Sequence, residues 1–308
     1  MLGRVARLHY EHGFTHQQIA DKLGLSRVKV TRLLAEARRT GVVEIRINSE
    51  ETIFTDLEIA LAEAYLLSQA WVAPTFEDPE RLRRSLGTVA ATALTAALRP
   101  GMTVAVGLSQ TVAAIAGYVH ADEPADVLFV PATGSRLGAG GTSSPTDVAQ
   151  HLARAFRGDA HHLPAPVLAT SYESARLLRQ EPDVAGALAR ARRADLAVFG
   201  IGGMSPGSGL LMDGAVPPET ILELVRAGAV GGISTGFFDA NGQLVESELS
   251  QRIIGITLDE LDRIPTRVAI AGGCEKRAAI RGALAGGHLD ILVTDEASAR
   301  ELVEAVRN

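Results

Sequence analysis

The sequence predicts an α/β protein in two parts: an N-terminal helix-turn-helix domain over 1–51, then a doubly wound, mostly parallel sheet over 52–308. Three observations predict it. Residues 15–39, THQQIADKLGLSRVKVTRLLAEARR, place two cap residues and a turn glycine at helix-turn-helix spacing. From about residue 70 onward, short apolar runs alternate with amphipathic stretches, as in a parallel sheet covered by helices on both faces. The charge also divides: residues 1–47 hold nine Lys and Arg against four Asp and Glu, a net +5, while the rest carries −11 of the overall −6.

Thr15 caps a short helix whose Ile19, Ala20 and Leu23 share one face, Gly24 supplies the left-handed turn position, and Ser26 caps a second helix. On that second helix Val28, Val30, Leu33, Leu34 and Ala37 are expected to face the first, leaving Arg27, Lys29, Thr31 and Arg32 early and outward. Those are the positions a recognition helix turns toward base edges in the major groove. The expected DNA-contact set is Thr15, Gln17, Ser26, Arg27, Lys29, Thr31 and Arg32, with double-stranded operator DNA as partner. The plainer alternative is a solvated surface hairpin of helices.

Gly41 ends this unit, and VVEIRI over 42–47 alternates like a half-buried strand, a wing or hairpin arm. Ile53, Leu57, Ala60, Leu61, Ala64 and Leu67 recur at helical spacing, so 53–67 is expected to be a linker helix, packed on the second domain or paired with a second subunit. Then follow AWVAP, a helix over 82–98, MTVAVG, a helix over 109–119, VLFVP, a helix over 145–157 and DLAVFGIGG. RVAIAGG, a helix over 275–284, DILVT and a last helix from Glu296 complete the alternation. Ligands of such sheets bind outside the carboxyl ends of the strands.

Composition narrows the function classes. A 46% hydrophobic content supports a sizeable core, no apolar run reaches membrane-span length, and the N-terminus lacks the order of a signal peptide, so a cytoplasmic protein without a membrane partner is expected. Cys274 is the single cysteine, which excludes an intrachain disulfide or a thiolate zinc site and suggests a small packed residue. His151, His161 and His162 lack the spacing of zinc ligands, so no metal is expected. Aromatic residues, 4% of the chain, are too few for a single-strand stacking platform.

The small-molecule chemistry is expected at strand ends. Gly107 closes one strand, and Ser109, Gln110 and Thr111 open a helix whose N–H groups attract an anion; Ser109 as an ordinary cap is the plainer alternative. A second strand runs into Thr133, Ser135 and Arg136, with Ser143 and Ser144 opening the next helix; these are sugar-hydroxyl partners or simple turn formers. GIGGMSPGSG does not follow the dinucleotide fingerprint and reads as a glycine-rich ligand rim. Asp239 in GFFDANG accepts from sugar hydroxyls or merely forms the turn before Gly242. Lys276 is one of three lysines against 27 arginines, and the only one in the larger domain. Its compact charge suits a phosphate or, when desolvated, amine chemistry with a carbonyl; a solvated helix-start lysine is the alternative.

Taken in order, FTHQQIADKLGLSRVKVTRLLAEARRTGVVEIRI, GLSQTVAAIA, HHLPAP, ADLAVFGIGGM, AGAVGGISTGFFDANG, IGITLDEL and VAIAGGCEKRAAIRGALAGGHLDILVTDEASA resemble the SorC family of bacterial sugar-responsive transcriptional regulators, which includes the deoxyribonucleoside and central glycolytic gene regulators. The resemblance runs nearly end to end. It implies an effector domain similar to sugar-phosphate isomerases and CoA transferases that senses rather than catalyses, with a phosphorylated sugar as effector and no cofactor. It places the phosphate site at Ser109, Gln110 and Thr111 beside Gly107, the acidic hydroxyl partner at Asp239 and the cationic partner at Lys276, with Thr133 and Ser144 at variable positions.

Three departures bear on ligand preference: Gln110 in place of a small or aromatic residue, AGGC without the following acid, and PATGS in the loop after VLFVP. The function expected is a transcriptional regulator of sugar or nucleoside catabolism, a repressor with an activator as the alternative, a dimer or tetramer, nucleoid-associated when DNA-bound. Two alternatives stay open: a sugar-phosphate isomerase or lyase with an appended helical domain, and a sensor of an unphosphorylated sugar or polyol. Lys276 as a non-covalent contact or a Schiff-base lysine is likewise open.

Overall fold

The computed structural model describes residues 1–10, 12–40, 42–43, 54–119, 126–135, 144–204 and 216–307, in two compact units, Met1–Ile53 and Phe54–Asn308. The first unit contains α1 (Leu2–Tyr10), α2 (His16–Leu23) and α3 (Arg27–Arg39). Thr15 and Gln18 form a reciprocal capping box at the start of α2, Gly24 takes φ 65° to end it, and Ser26 Oγ accepts the Lys29 N–H at 3.2 Å to start α3. Val5 of α1, which sequence reading did not assign to a helix, closes a core with Ile19, Ala20, Val30 and Leu34. Val28 departs from expectation: it points to solvent and is 64% exposed. The expected strand over 42–47 is not seen as far as it is described, since Val42 and Val43 form a bend with the Val43 N–H on Ala37 O; residues 44–47 and Ile53 lie outside the described residues.

The second unit begins with α4 (Thr55–Tyr65), β1 (Gln69–Ala73), α5 (Pro79–Ala97), β2 (Thr103–Val106), α6 (Gln110–Ile115), β3 (Leu128–Pro131) and α7 (Pro145–Phe156). It continues through β4 (Asp159–Ala160), α8 (Tyr172–Gln180), α9 (Pro182–Arg192), β5 (Leu196–Gly200), β6 (Gly202–Gly203), α10 (Pro218–Arg226), β7 (Gly231–Ile233), β8 (Gly236–Phe238) and β9 (Leu244–Val245). Last come α11 (Glu248–Arg252), α12 (Leu258–Leu261), β10 (Thr266–Ile270), α13 (Arg277–Ala285), β11 (Ile291–Asp295) and α14 (Glu296–Arg307). No helix among the described residues is long and apolar enough to cross a membrane.

The main sheet has seven parallel strands in the order β1-β11-β10-β5-β2-β3-β4. Near-continuous burial of Val104–Val106, Val268–Ile270 and Ile291–Asp295 is what two covered faces require. One face packs Val104, Val106, Val198 and Val293 with Leu94 of α5, Val112 of α6 and Leu152 of α7. The other packs Ala105, Phe199, Ala269 and Leu292 with Leu188 of α9, Ile280 of α13 and Leu302 of α14. From β2 the chain adds strands outward through β3 and β4, then returns to the other side with β5, β10 and β11. The order reverses between β2 and β5, and ligands of open α/β sheets bind outside the carboxyl ends of the strands at such a reversal.

α4 packs on β1 and α14: Tyr65 Oη donates to Leu302 O at 2.9 Å, and Glu58 Oε1 accepts the Val72 N–H at 2.9 Å. Burial raises the Glu58 carboxyl above its ordinary value, partly countered by that hydrogen bond. Two expected boundaries move for local reasons. Asp78 and Pro79 cap α5, so it starts three residues early, while α6 stops at Ile115 and turns at Gly117 instead of reaching Val119.

A second, antiparallel sheet, β6-β7-β8-β9, is absent from the sequence reading. Its strands are two or three residues long, too short for a periodic signal. It lies along α13 at glycine distance: a methyl on Gly231 would sit 2.5 Å from the Cβ of Ala279, and one on Gly242 would overlap the backbone of Gly286.

Candidate functional site

The candidate DNA-reading face lies on the two capped helices. Thr15 starts α2 and Ser26 starts α3, and Arg27, Lys29, Thr31 and Arg32 lie exposed on α3, with Thr15, Gln17 and Ser26 also exposed. Several of these are already engaged within the unit. Thr15 and Ser26 are caps, and Gln17 Nε2 donates to Asp21 Oδ1 at 2.8 Å. The Thr31 hydroxyl donates to Arg27 O and meets His16 Nδ1, each at 3.1 Å. Among the described residues the side chains of Arg27, Lys29 and Arg32 have no hydrogen-bond or ion-pair partner, so they are free for phosphates and base edges.

In the second unit the carboxyl ends of β2 and β5 bring part of the expected effector set together. Buried Gly107 continues β2, its N–H on Val198 O at 2.9 Å, and a methyl on Gly200 would lie 2.5 Å from Ser109 Oγ. Ser109 therefore reaches the switch point because β5 ends in glycine. Its Oγ accepts the N–H groups of Thr111 and Val112 at 3.2 and 3.3 Å, so the cap uses two amides of the expected anion site; its own proton remains to donate. Thr111 is buried and Gln110 is exposed. The helix they open has six residues, a weaker dipole than the sequence reading assumed.

Beyond β3, Thr133 is 2% exposed and its Oγ1 has no partner among the described residues. An orphaned buried hydroxyl at a strand end is a ready contact for a ligand oxygen. Ser135 Oγ pairs with Thr146 Oγ1 at 3.1 Å, while Ser144 forms a capping box with Asp147 and is committed to starting α7. Arg136, Ser143 and residues 205–209 of the expected glycine rim lie outside the described residues.

Lys276 ends a short 3-10 turn, Cys274–Lys276, that precedes α13. It is half-buried and, among the described residues, its ammonium has no hydrogen-bond or ion-pair partner. Desolvation pulls its pKa below the ordinary lysine value; Glu275 opposes this and Arg83 adds repulsion. Cys274, expected to be packed, is instead exposed on the same turn. The turn is held by Asp295, at the end of β11, which is fully buried and accepts from Gly273 N and Ser298 Oγ at 2.7 Å, Thr75 Oγ1 at 3.0 Å and Ser298 N at 3.1 Å. Burial alone would raise this carboxyl, but those four donors outweigh it and hold its pKa below the ordinary value.

Asp239 is chiefly a turn former, the plainer of its two readings. Its Oδ1 accepts the N–H groups of Asn241 and Gln243 at 2.9 and 2.8 Å. Its carbonyl packs against Gly282, about 9 Å of helix rise along α13 from Lys276. Ser109, Gly107 and Gly200 are brought together by the fold, and Lys276 lies one strand away, its backbone facing Gly203 just after β5.

Known proteins resemble both units. Residues 50–304 match a sugar-binding domain family and residues 3–59 a Crp-like helix-turn-helix domain. The transcriptional regulator LsrR of Klebsiella pneumoniae is 33% identical, with 98% of this chain and 92% of LsrR covered. The sorbitol operon regulator SorC of Klebsiella pneumoniae has a TM-score of 0.76 at 25% identity, covering 98% of this chain and 97% of that one. The chain belongs to the SorC family.

Another relative is the erythritol catabolism regulatory protein EryD of Brucella abortus, 32% identical over 97% of this chain and 95% of its own. The SorC-family chain is thus a sugar-sensing, DNA-binding transcriptional regulator and not an enzyme. In this SorC-family fold two residues escaped sequence reading. Asp295 carries a findable signal, an acid closing the apolar run ILVT before a helix; His288, which bonds across to the turn at Gly242, carries none.

Proposed function

We propose that this regulator is a repressor of sugar or nucleoside catabolism genes that leaves its operator when a phosphorylated sugar occupies the carboxyl ends of β2, β5 and β10. One observation carries the reading: an acidic unit keeps a half-buried lysine whose ammonium, among the described residues, has no hydrogen-bond or ion-pair partner, its backbone beside Gly203 just after β5. Stripping a cation of water without pairing it is costly, and a bound phosphate offsets that cost. In this reading Lys276 takes the phosphate or a ring oxygen, Ser109 and the Gln110 amide beside Gly107 and Thr111 take a second oxygen, and Thr133 takes a sugar hydroxyl. Asp239 and Ser144 shape the rim through their turns. No metal or cofactor takes part, and the protein works in the cytoplasm, on the nucleoid when DNA-bound.

The repressor is a homo-oligomer, because one basic head binds weakly while two heads read two half-sites with linked affinity. The sugar switches it only by binding the two conformations unequally. Residues 1–51 then form the output domain, 53–67 the connecting helix and the rest the sensor. The names of EryD and of the sorbitol operon regulator SorC favour a second reading, an unphosphorylated polyol as effector.

A thermal-shift series on the full chain separates the two, with ribose 5-phosphate, deoxyribose 5-phosphate and fructose 6-phosphate set against ribose, sorbitol and erythritol. A phosphosugar at 100 times its Kd stabilises by about 2.7 kcal/mol, or roughly 5–10 °C for a unit of this size. Lys276→Ala is expected to remove that shift. A shift produced by a polyol and by none of the phosphates establishes the second reading, and an undiminished shift in Lys276→Ala rejects the site.

A further inference from the structure

We propose that Val28 reads the C5 methyl of a thymine in the major groove of the operator. The inference rests on the DNA-reading role of α3 and adds to it an apolar contact at a defined residue. Val30, Leu34 and Ala37 are buried and mark the inner face of α3. At 100° per residue Val28 lies about 200° from Val30 and about 180° from Ala37, at the middle of the opposite face. It is 64% exposed, and its helical neighbours at i+3, i+4 and i+7 are Thr31, Arg32 and Ala35, all exposed.

Neither packing nor helix propensity accounts for a valine there. Its side chain contributes nothing to the core of Val5, Ile19, Ala20, Val30 and Leu34, and a β-branched residue is a poorer helix former than the Lys or Arg beside it. Single exposed apolar residues are common on protein surfaces. This one sits in the first turn of the recognition helix, where side chains meet base edges, with unpartnered Arg27, Lys29 and Arg32 around it. Their charge selects a polyanion as the occupant. Within the major groove the one apolar feature of the base edges is the thymine methyl, while Arg pairs with guanine. Thr31 is a poorer base reader than its position suggests, since its hydroxyl is tied to His16 and to Arg27 O.

The test uses the full chain and a pool of duplexes randomised over a window that spans two half-sites. Selection is run with the wild type, Val28→Ala and Val28→Ser, and thymines of the selected operator are then replaced one at a time by deoxyuracil, which lacks the methyl. The wild type is expected to lose about fourfold affinity at one thymine per half-site, near the transfer value of one methyl. Val28→Ala removes the contact from both half-sites and so loses about the square of that factor, roughly 16-fold, on the thymine operator, gains no further loss from uracil at that position, and keeps the salt dependence of the wild type. Because Val28 is outside the core, both variants retain the wild-type melting temperature.

An unchanged selected sequence together with unchanged uracil sensitivity in Val28→Ala overturns the inference and leaves the DNA-reading role intact. Failure of the wild type to select any duplex overturns both. A loss in Val28→Ala spread evenly over all sequences also overturns it, and assigns Val28 to a protein or backbone contact.

Discussion

Replacing Arg27 and Lys29 together by alanine is expected to weaken operator binding by roughly a thousandfold, while the thermal shift given by the sugar effector stays as in the wild type. Both side chains are exposed and unpartnered among the described residues, so their loss costs the fold little. Each base contact of this kind is worth about 1–3 kcal/mol, and in a two-fold assembly the pair is lost twice. If one of the two meets a phosphate, the slope of log affinity against log salt also falls by about 0.9 for each contact removed. Anisotropy titrations at three salt concentrations measure both quantities. Operator protection equal to the wild type would remove α3 from the interface.

The second large effect belongs to His288. Its side chain is 7% exposed and both ring nitrogens face acceptors: Nδ1 lies 3.0 Å from Asp262 Oδ2 and Nε2 lies 2.8 Å from Gly242 O. A neutral imidazole has one N–H and satisfies one of them, whereas the imidazolium satisfies both. Burial pushes the pKa down, but the bonds to the Asp262 carboxylate and the Gly242 carbonyl more than offset it, so the net shift is upward, with Arg267 opposing. The same Arg267 bonds Asp262 and Asp290, which ties β10 and the start of β11 into the network.

A raised folded pKa means that the proton is held more tightly in the folded state. Its stabilisation is complete below the ordinary histidine value near 6.5 and is lost as the pH rises through the folded value. His288→Gln is expected to cost about 2–4 kcal/mol at pH 5.5, from leaving a half-buried carboxylate and a buried carbonyl underpaired, and clearly less at pH 8.5. Urea unfolding of both proteins at the two pH values gives the difference. A cost that is the same at both would refute the imidazolium.

How far each feature was legible follows from how local its cause is. Thr15, Gly24 and Ser26 act on amides within a few residues, so their caps and turn were readable in the chain; so were the apolar runs of β2, β5, β10 and β11, whose burial needs only composition. Val28 differs because apolar character alone predicts an inward face, while the angular position relative to Val30 and Ala37 puts it outside. The antiparallel sheet was missed because its strands of two or three residues hold glycines whose purpose is to approach α13, a relation between segments tens of residues apart. Cys274 was placed inside for its residue type, and the turn pinned by Asp295 turns it outward.

The sequence by itself determined the two-part architecture, the basic recognition helix, the alternation that makes a parallel sheet and the rarity of Lys276. Tertiary structure alone decided the strand order with its reversal between β2 and β5, the close approach of Ser109 to Gly200, the desolvation of Lys276 and the two-sided clamp on His288. The physical reason is range. Propensity, capping and amphipathic period act between residues a few positions apart, whereas burial and hydrogen bonding across strands join groups that only the finished packing brings within 3 Å.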